Sequence, residues 1–203
     1  MKLYYSPGAC SLSPHITLAE AGLPYTIEKV DLKAKKTETG ADFFAINPTG
    51  YVPALVLDNG EMLSEGPAIV QYLADLVPTK KLAPPAGSFE RVRLQEVLNY
   101  ISTELHKSFS PLFNPAAPED WKTFMRGQIL RRLEPMEKRL AKADYLMGEF
   151  TVADAYLFTI LGWTRLVGID LKDNAVLMAY IARVKARPAV QQAMKEEGLI
   201  KPA

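Results

Sequence analysis

Cysteine is almost missing from this sequence: 203 residues carry one, Cys10. That excludes a disulfide scaffold and a cysteine-rich zinc site, and it fits a reducing, cytoplasmic compartment. Only two histidines are present, His15 and His106, and no metal site is expected. Net charge is missing too. The 24 Lys and Arg against 23 Asp and Glu leave +1, so no field steers the chain to nucleic acid or to an anionic membrane. No apolar run approaches the length of a membrane span. Pro7 and Gly8 interrupt the N-terminus too early for the apolar core of a signal peptide. Internal repeats and low-complexity segments are absent as well. What is present is ordinary for a globular protein, 48% hydrophobic and 23% charged, with length enough for one or two domains and a sizeable core.

The chain follows two grammars. Residues 3–6 read as a strand, and the apolar spacing from Ser13-Pro14 to Gly22 predicts a helix with Ser13 as cap and Pro14 first. Alternation over 25–31 predicts a second strand, and 41–46 a short helix. Segments 52–57 and 62–64 flank Asp58-Asn59-Gly60, a hairpin signal. A helix follows over 67–76. This βαβαββα order predicts an α/β first domain, residues 1–80. A Pro-, Gly- and Lys-rich stretch, 77–87, reads as a boundary. Beyond it every segment reads helical: 88–113, 118–143 with a kink expected at Pro135, 151–167, 174–187 and 188–197. These make an all-α second domain, residues 88–203.

Several motifs carry chemistry. Cys10 sits between a strand and a helix N-terminus, where orphan N–H groups and the helix dipole favour a thiolate. A buried structural cysteine is the competing reading; the strand–turn–helix context favours the reactive one. With no second cysteine, any disulfide of Cys10 joins another molecule. Ser64-Glu65-Gly66-Pro67 predicts a helix start with Gly66 as a bare cap, open to a carboxylate, while Glu65 offers a partner for an ammonium group. Together they suit the zwitterionic end of an amino acid. Lys33, Lys35 and Lys36 offer cations after the second strand. Asn99, Thr103 and His106, spaced i, i+4, i+7, are expected on one helix face, with Glu104 and Lys107 just off it. Thr151-Val152-Ala153-Asp154 reads as a structural capping box, with Phe150 and Ala155 at the staple positions.

Taken in order, these segments resemble the cytosolic glutathione S-transferases, specifically the bacterial beta class. The motifs are Tyr4-Tyr5-Ser6-Pro7-Gly8-Ala9-Cys10-Ser11-Leu12-Ser13-Pro14-His15, Asn47-Pro48-Thr49-Gly50-Tyr51-Val52-Pro53, Leu63-Ser64-Glu65-Gly66-Pro67-Ala68-Ile69, Glu104-Leu105-His106-Lys107, and Phe150-Thr151-Val152-Ala153-Asp154-Ala155-Tyr156-Leu157-Phe158. The resemblance spans essentially the whole chain. It implies a thioredoxin-like first domain, an all-helical second domain and a homodimer. The implied co-substrate is glutathione, with no permanently bound cofactor. Carried over by position, Cys10 meets the glutathione sulfur and Lys35 its glycine carboxylate. Val52, before a cis Pro53, pairs with the cysteinyl backbone, and Glu65 with Gly66 holds the γ-glutamyl group. Asn99, Thr103, Glu104, His106 and Lys107 approach from the long helix. Cys10, His106 and Ser11 are the catalytic candidates, with Tyr5 another hydroxyl near Cys10. The wider family often has Ser where this chain has Gly66. The expected activity is conjugation of glutathione to small hydrophobic electrophiles, with thiol–disulfide exchange or peroxidase activity through Cys10. Phe109, Pro111, Tyr156, Phe113 and Trp163 are candidates for the electrophile pocket, or for core. A non-catalytic ligand- or partner-binding protein on the same fold is the alternative reading, and a dedicated peroxidase or reductive dehalogenase a third.

Overall fold

Leu3 and Tyr4 face opposite sides of one strand, and each seeds a separate core. In the computed structural model, which describes residues 1–201, β1 (Lys2–Tyr5) is the centre of a five-stranded sheet of order β3-β2-β1-β4-β5. It pairs in parallel with β2 (Thr26–Asp31), with Leu3 opposite Ile27, and antiparallel with β4 (Ala54–Val56), with Leu3 opposite Leu55. β4 turns through Asn59-Gly60 into β5 (Met62–Ser64), an antiparallel hairpin as the sequence predicts. The edge strand β3 (Lys36–Thr37) is two residues long and has no sequence signature.

Helices cover both faces. Leu3 and Leu55 pack with Leu18 of α1 (Leu12–Ala21) and with Ile69 and Leu73 of α3 (Gly66–Leu76), all fully buried. Tyr4 and Ala54 pack on the other face with Val30, Val52 and Phe43, from α2 (Phe43–Ile46). The strand alternation of period 2 thus divides the apolar residues between two layers. This βαβ unit followed by ββα is the thioredoxin-like arrangement.

Contacts divide the chain into two units. One is Met1–Ala83 with the chain from Lys185 onward; the other is Pro84–Val184. The junction falls inside the Pro- and Gly-rich stretch, but the last helix, α9 (Pro188–Glu196), groups with the first unit instead of the helical one. The reason is packing: α9 lies along α1, and its end of the chain meets His15 and Glu20 of α1 and Tyr25 just beyond it. Arg187 Nε lies 2.6 Å from Glu20 Oε1, and Tyr25 donates to Glu196 at 2.8 Å.

In the second unit the expected helix over 88–113 is broken. Ser88 caps α4 (Phe89–Tyr100), accepting from the Arg91 N–H at 3.1 Å. A π-turn over Ile101–Leu105 and a 3₁₀ turn over His106–Phe109 follow, then the short α5 (Ser110–Phe113). α6 (Glu119–Leu140) runs on through Pro135 as one helix. α7 (Val152–Gly162) is buried along ten of its eleven residues, and its capping box forms as the sequence predicts. The Asp154 carboxylate accepts the Thr151 and Leu146 N–H groups, each at 2.9 Å, and the Tyr180 hydroxyl at 3.2 Å. Burial pushes Asp154 up to about 6. α8 (Ala175–Lys185) brings Tyr180 against it. No helix among the described residues is long and apolar enough to cross a membrane.

Candidate active site

Cys10 lies in the turn between β1 and α1. Ala9 N–H bonds back to Ser6 O at 3.0 Å and Leu12 N–H to Ala9 O at 3.0 Å, so the turn closes on itself. Helix α1 begins at Leu12, which places Ser13 and Pro14 inside the first turn. Ser13 is therefore not the cap the sequence predicts. Pro14 costs no hydrogen bond there, because the first four N–H groups of a helix have no intrahelical acceptor. The residue at the cap position, Ser11, spends its hydroxyl on the turn, accepting from Ser6 N–H at 3.2 Å and reaching Ser6 O at 3.3 Å. It is fully buried. Ser11 is thus tied into the turn that carries Cys10. Tyr5 is also buried, and burial with nearby carboxylates raises its phenol, which makes it a poorer acid.

The thiol itself differs from the sequence expectation. Cys10 Sγ donates to Val52 O at 3.1 Å, and burial pushes its pKa up to about 11. The Cys10 and Ser11 N–H groups favour the anion as a helix start should, but they are outweighed by desolvation, and the Glu65 charge adds to the rise. Cys10 is a neutral thiol at pH 7, not a standing thiolate.

Val52 comes to Cys10 through a built loop. Asn47 is buried and anchors it: Nδ2 donates to Tyr51 O at 2.7 Å, and Oδ1 accepts from Thr49 N–H at 3.2 Å. Gly50 has φ +67°, and a Cβ there would fall 2.6 Å from the Phe44 ring, so only glycine fits. The Val52-Pro53 bond is cis. Lys35, at φ +55°, donates to Gly50 O at 2.7 Å, and its ammonium lies 5.2 Å from the Tyr51 ring centroid and 5.9 Å from that of Phe44. Lys33, on the same loop, and Lys36, the first residue of β3, are exposed.

Glu65, not Gly66, is the residue before the first turn of α3, with Gly66 and Pro67 the first two helical positions. Glu65 stands at φ +67°, ψ 109°, where side chains other than glycine are rarely found. Its carbonyl accepts both Ala68 and Ile69 N–H at 3.0 Å. Among the described residues its carboxylate pairs with no cation and the Gly66 N–H with no acceptor. A Cβ on Gly66 meets nothing within 4 Å, so the site has room for the serine of the wider family and does without it.

The remaining predicted residues belong to the helical unit. Asn99 and Thr103 stay adjacent and exposed, the Thr103 hydroxyl donating to Asn99 O at 3.0 Å. His106 leaves their face. The π-turn inserts a wider turn between them and swings the imidazole inward, where Nδ1 lies 2.7 Å from the Tyr156 hydroxyl and the ring meets Trp163 edge-on at 4.8 Å. Burial, with Lys107 beside it, lowers His106 to about 4, so the ring is neutral at pH 7. Glu104 is held by Arg132 at 3.3 Å, and Lys107 is exposed. Of the pocket candidates, Tyr156, Phe109 and Trp163 are buried, while Phe113 is half exposed and packs on Trp163 at 5.7 Å.

Sequence reasoning missed one feature of the Cys10 turn. Glu197, just after α9, accepts the Gly8 N–H at 2.8 Å and lies 2.9 Å from His15 Nδ1; Glu196 lies 2.7 Å from His15 Nε2. Its partners are 189 and 182 residues away, and no local pattern announces them.

A family model for the glutathione S-transferase N-terminal domain matches residues 8–76, and one for the C-terminal domain matches residues 119–191. The chain is 49% identical to glutathione S-transferase GstA of Escherichia coli O157:H7, over 98% of this chain and all of that one. The structure of BphK, a bacterial GST solved as a ternary complex, is 57% identical with a TM-score of 0.95, covering 98% of this chain and all of that one. Two sphingomonad glutathione S-transferases, one solved with glutathione and one from Sphingomonas chungbukensis described as bacterial beta class, are 48% and 47% identical. Each has a TM-score of 0.95 and covers 98% of this chain and 100% of its own. With both domains matched and a full-length relative at this identity, the chain belongs to the glutathione S-transferase family, in its bacterial beta class.

Proposed function

We propose that this enzyme joins the sulfur of glutathione to an electrophilic carbon of a small hydrophobic molecule. The observation that carries the reading is the start of α3: an unpaired Glu65 carboxylate in a left-handed conformation, followed by an open Gly66 N–H. Strained backbone at a non-glycine residue is a mark of functional sites. A carboxylate and a helix-start donor side by side suit the ammonium and carboxylate of a γ-glutamyl group. Lys35 supplies a cation for the glycine carboxylate, and Val52, before cis Pro53, an edge for the cysteinyl backbone. Asn99, Thr103, Glu104, His106 and Lys107 are proposed as further glutathione contacts on the resemblance.

In the reaction the glutathione thiolate attacks the carbon, and the leaving group departs with its bonding pair, as chloride does from a chloro-nitrobenzene. The thiol proton passes to solvent. Cys10, as a neutral thiol, serves the sulfur anion best as a hydrogen-bond donor, its one S–H turning from Val52 O to the sulfur, and thiol–disulfide exchange is its side activity. A homodimer is proposed as the working form.

The test is turnover of glutathione with a chloro-nitrobenzene by wild type and Glu65→Ala. Loss of a charge-assisted bond of about 1.5–3 kcal/mol raises KM for glutathione about ten- to a hundredfold. Wild-type turnover no faster than the uncatalysed reaction, or an unchanged KM in Glu65→Ala, overturns the reading.

A further inference from the structure

His106 sits in an aromatic setting made entirely by the helical unit. Its ring lies edge-on to Trp163, and Trp163 meets Phe109 at 5.5 Å and Phe113 at 5.7 Å. From α7, fifty residues along the chain, the buried Tyr156 places its hydroxyl 2.7 Å from Nδ1. Among the described residues nothing pairs with Nε2. We propose that Tyr156 is a positioning residue: its phenol O–H donates to Nδ1 of His106, fixing the imidazole as the Nε2–H tautomer, so that the open nitrogen presents a hydrogen-bond donor and not a base. The inference rests on the proposal that His106, a catalytic candidate and glutathione contact, lowers the free energy of the glutathione thiolate.

A neutral imidazole has one N–H and one lone pair, and the partner of one nitrogen decides what the other offers. Burial keeps the His106 ring neutral at pH 7, which leaves two tautomers. In one, the Nδ1 lone pair accepts the phenol proton at an ordinary O–H···N distance, and Nε2 carries the ring hydrogen. In the other, Nδ1–H donates to the phenol oxygen and Nε2 turns a lone pair outward. The two have opposite consequences for a sulfur anion. An N–H stabilises it; a lone pair repels it. A base held near 4 also takes few protons from a thiol at neutral pH, so the donor tautomer is the one with catalytic use.

The chain builds this arrangement deliberately at one point, the π-turn over Ile101–Leu105. An uninterrupted α-helix would keep His106 on the exposed face with Asn99 and Thr103. The wider turn brings the ring to Tyr156 instead.

The chain has two histidines, so the ring nitrogens of ¹⁵N-labelled protein give four signals, and those of His106 are the pair lost in His106→Asn. At pH 7 the wild type is expected to show Nε2 protonated and Nδ1 as a bare acceptor nitrogen. Nδ1 protonated instead overturns the proposal without any variant. In Tyr156→Phe the tautomers are expected to mix, with kcat falling about tenfold, the loss of one hydrogen bond's worth of orientation, while KM for glutathione stays within about twofold. An unchanged His106 spectrum in Tyr156→Phe also overturns it. The reading beneath it fails separately: His106→Asn with wild-type turnover would remove His106 from the reaction whatever its tautomer.

Discussion

At the scale of the residue, Cys10 separates what sequence reveals from what only the fold decides. Its place between a strand and a helix start was legible, because both elements announce themselves within a dozen residues. Its protonation was not. The Val52 carbonyl that accepts the thiol's hydrogen bond comes from 42 residues away, and burial outweighs the local N–H groups. Since the folded pKa is raised to about 11, the thiolate fraction at pH 8 is about a hundredfold below that of an ordinary cysteine. Iodoacetamide, followed by intact mass at several pH values, is therefore expected to label Cys10 slowly at pH 8 and progressively faster toward pH 11. Glu65→Gln removes a charge that raises the thiol and shifts the profile to lower pH. Labelling at the rate of a free cysteine at pH 8 would place a thiolate in the resting site and return the exchange chemistry to first rank. On the proposed function, the Glu65 carboxylate holds the γ-glutamyl ammonium, and its charge adds a small share to the rise of the Cys10 thiol.

At the scale of the element, local rules held where the determinants are local. The capping box of α7 lies within four residues, and Asn59-Gly60 turns the hairpin within two. The prediction for 88–113 failed because the π-turn has no composition signal: Ile101 and Leu105 are buried as they would be in a continuous helix, and only the His106–Tyr156 contact shows what the extra turn is for. α9 illustrates the same limit. Its apolar spacing was readable, but not that Glu197 behind it holds both flanks of Cys10, Gly8 before it and His15 after it. Its side chain is fully buried, so truncation leaves the part-buried Gly8 N–H without its acceptor and the buried His15 ring without its Nδ1 partner, with Glu196 still at Nε2. Glu197→Ala is expected to cost about 2–4 kcal/mol in urea unfolding. Glu197→Gln, which keeps an acceptor for Gly8, should cost less than half as much. Equal losses in the two variants would mean that the carboxylate's bond to His15 Nδ1, and not the tie to the Gly8 turn, is what Glu197 supplies.

At the scale of the whole molecule, the division by contacts falls between Ala83 and Pro84, and the last helix groups with the first unit; such long-range packing leaves no trace in local composition. The count of cysteines acts at this scale too. A chain with one thiol has no internal resolver, so exchange must be completed by an external one. The Cys10 thiolate attacks glutathione disulfide; the new bond joins Cys10 to one glutathione, and the other leaves as a thiolate and takes up a proton. A second glutathione then attacks the mixed disulfide, which restores Cys10 and regenerates glutathione disulfide. Intact mass after incubation with glutathione disulfide is expected to show one adduct per chain, removed by reduced glutathione, and none in Cys10→Ala. Because the resting thiol is protonated, the adduct should form faster as pH rises toward 11, in step with alkylation. An adduct that survives Cys10→Ala sinks the exchange reading. One whose rate is flat with pH would mean that a bound glutathione, not the solvent, takes the Cys10 proton.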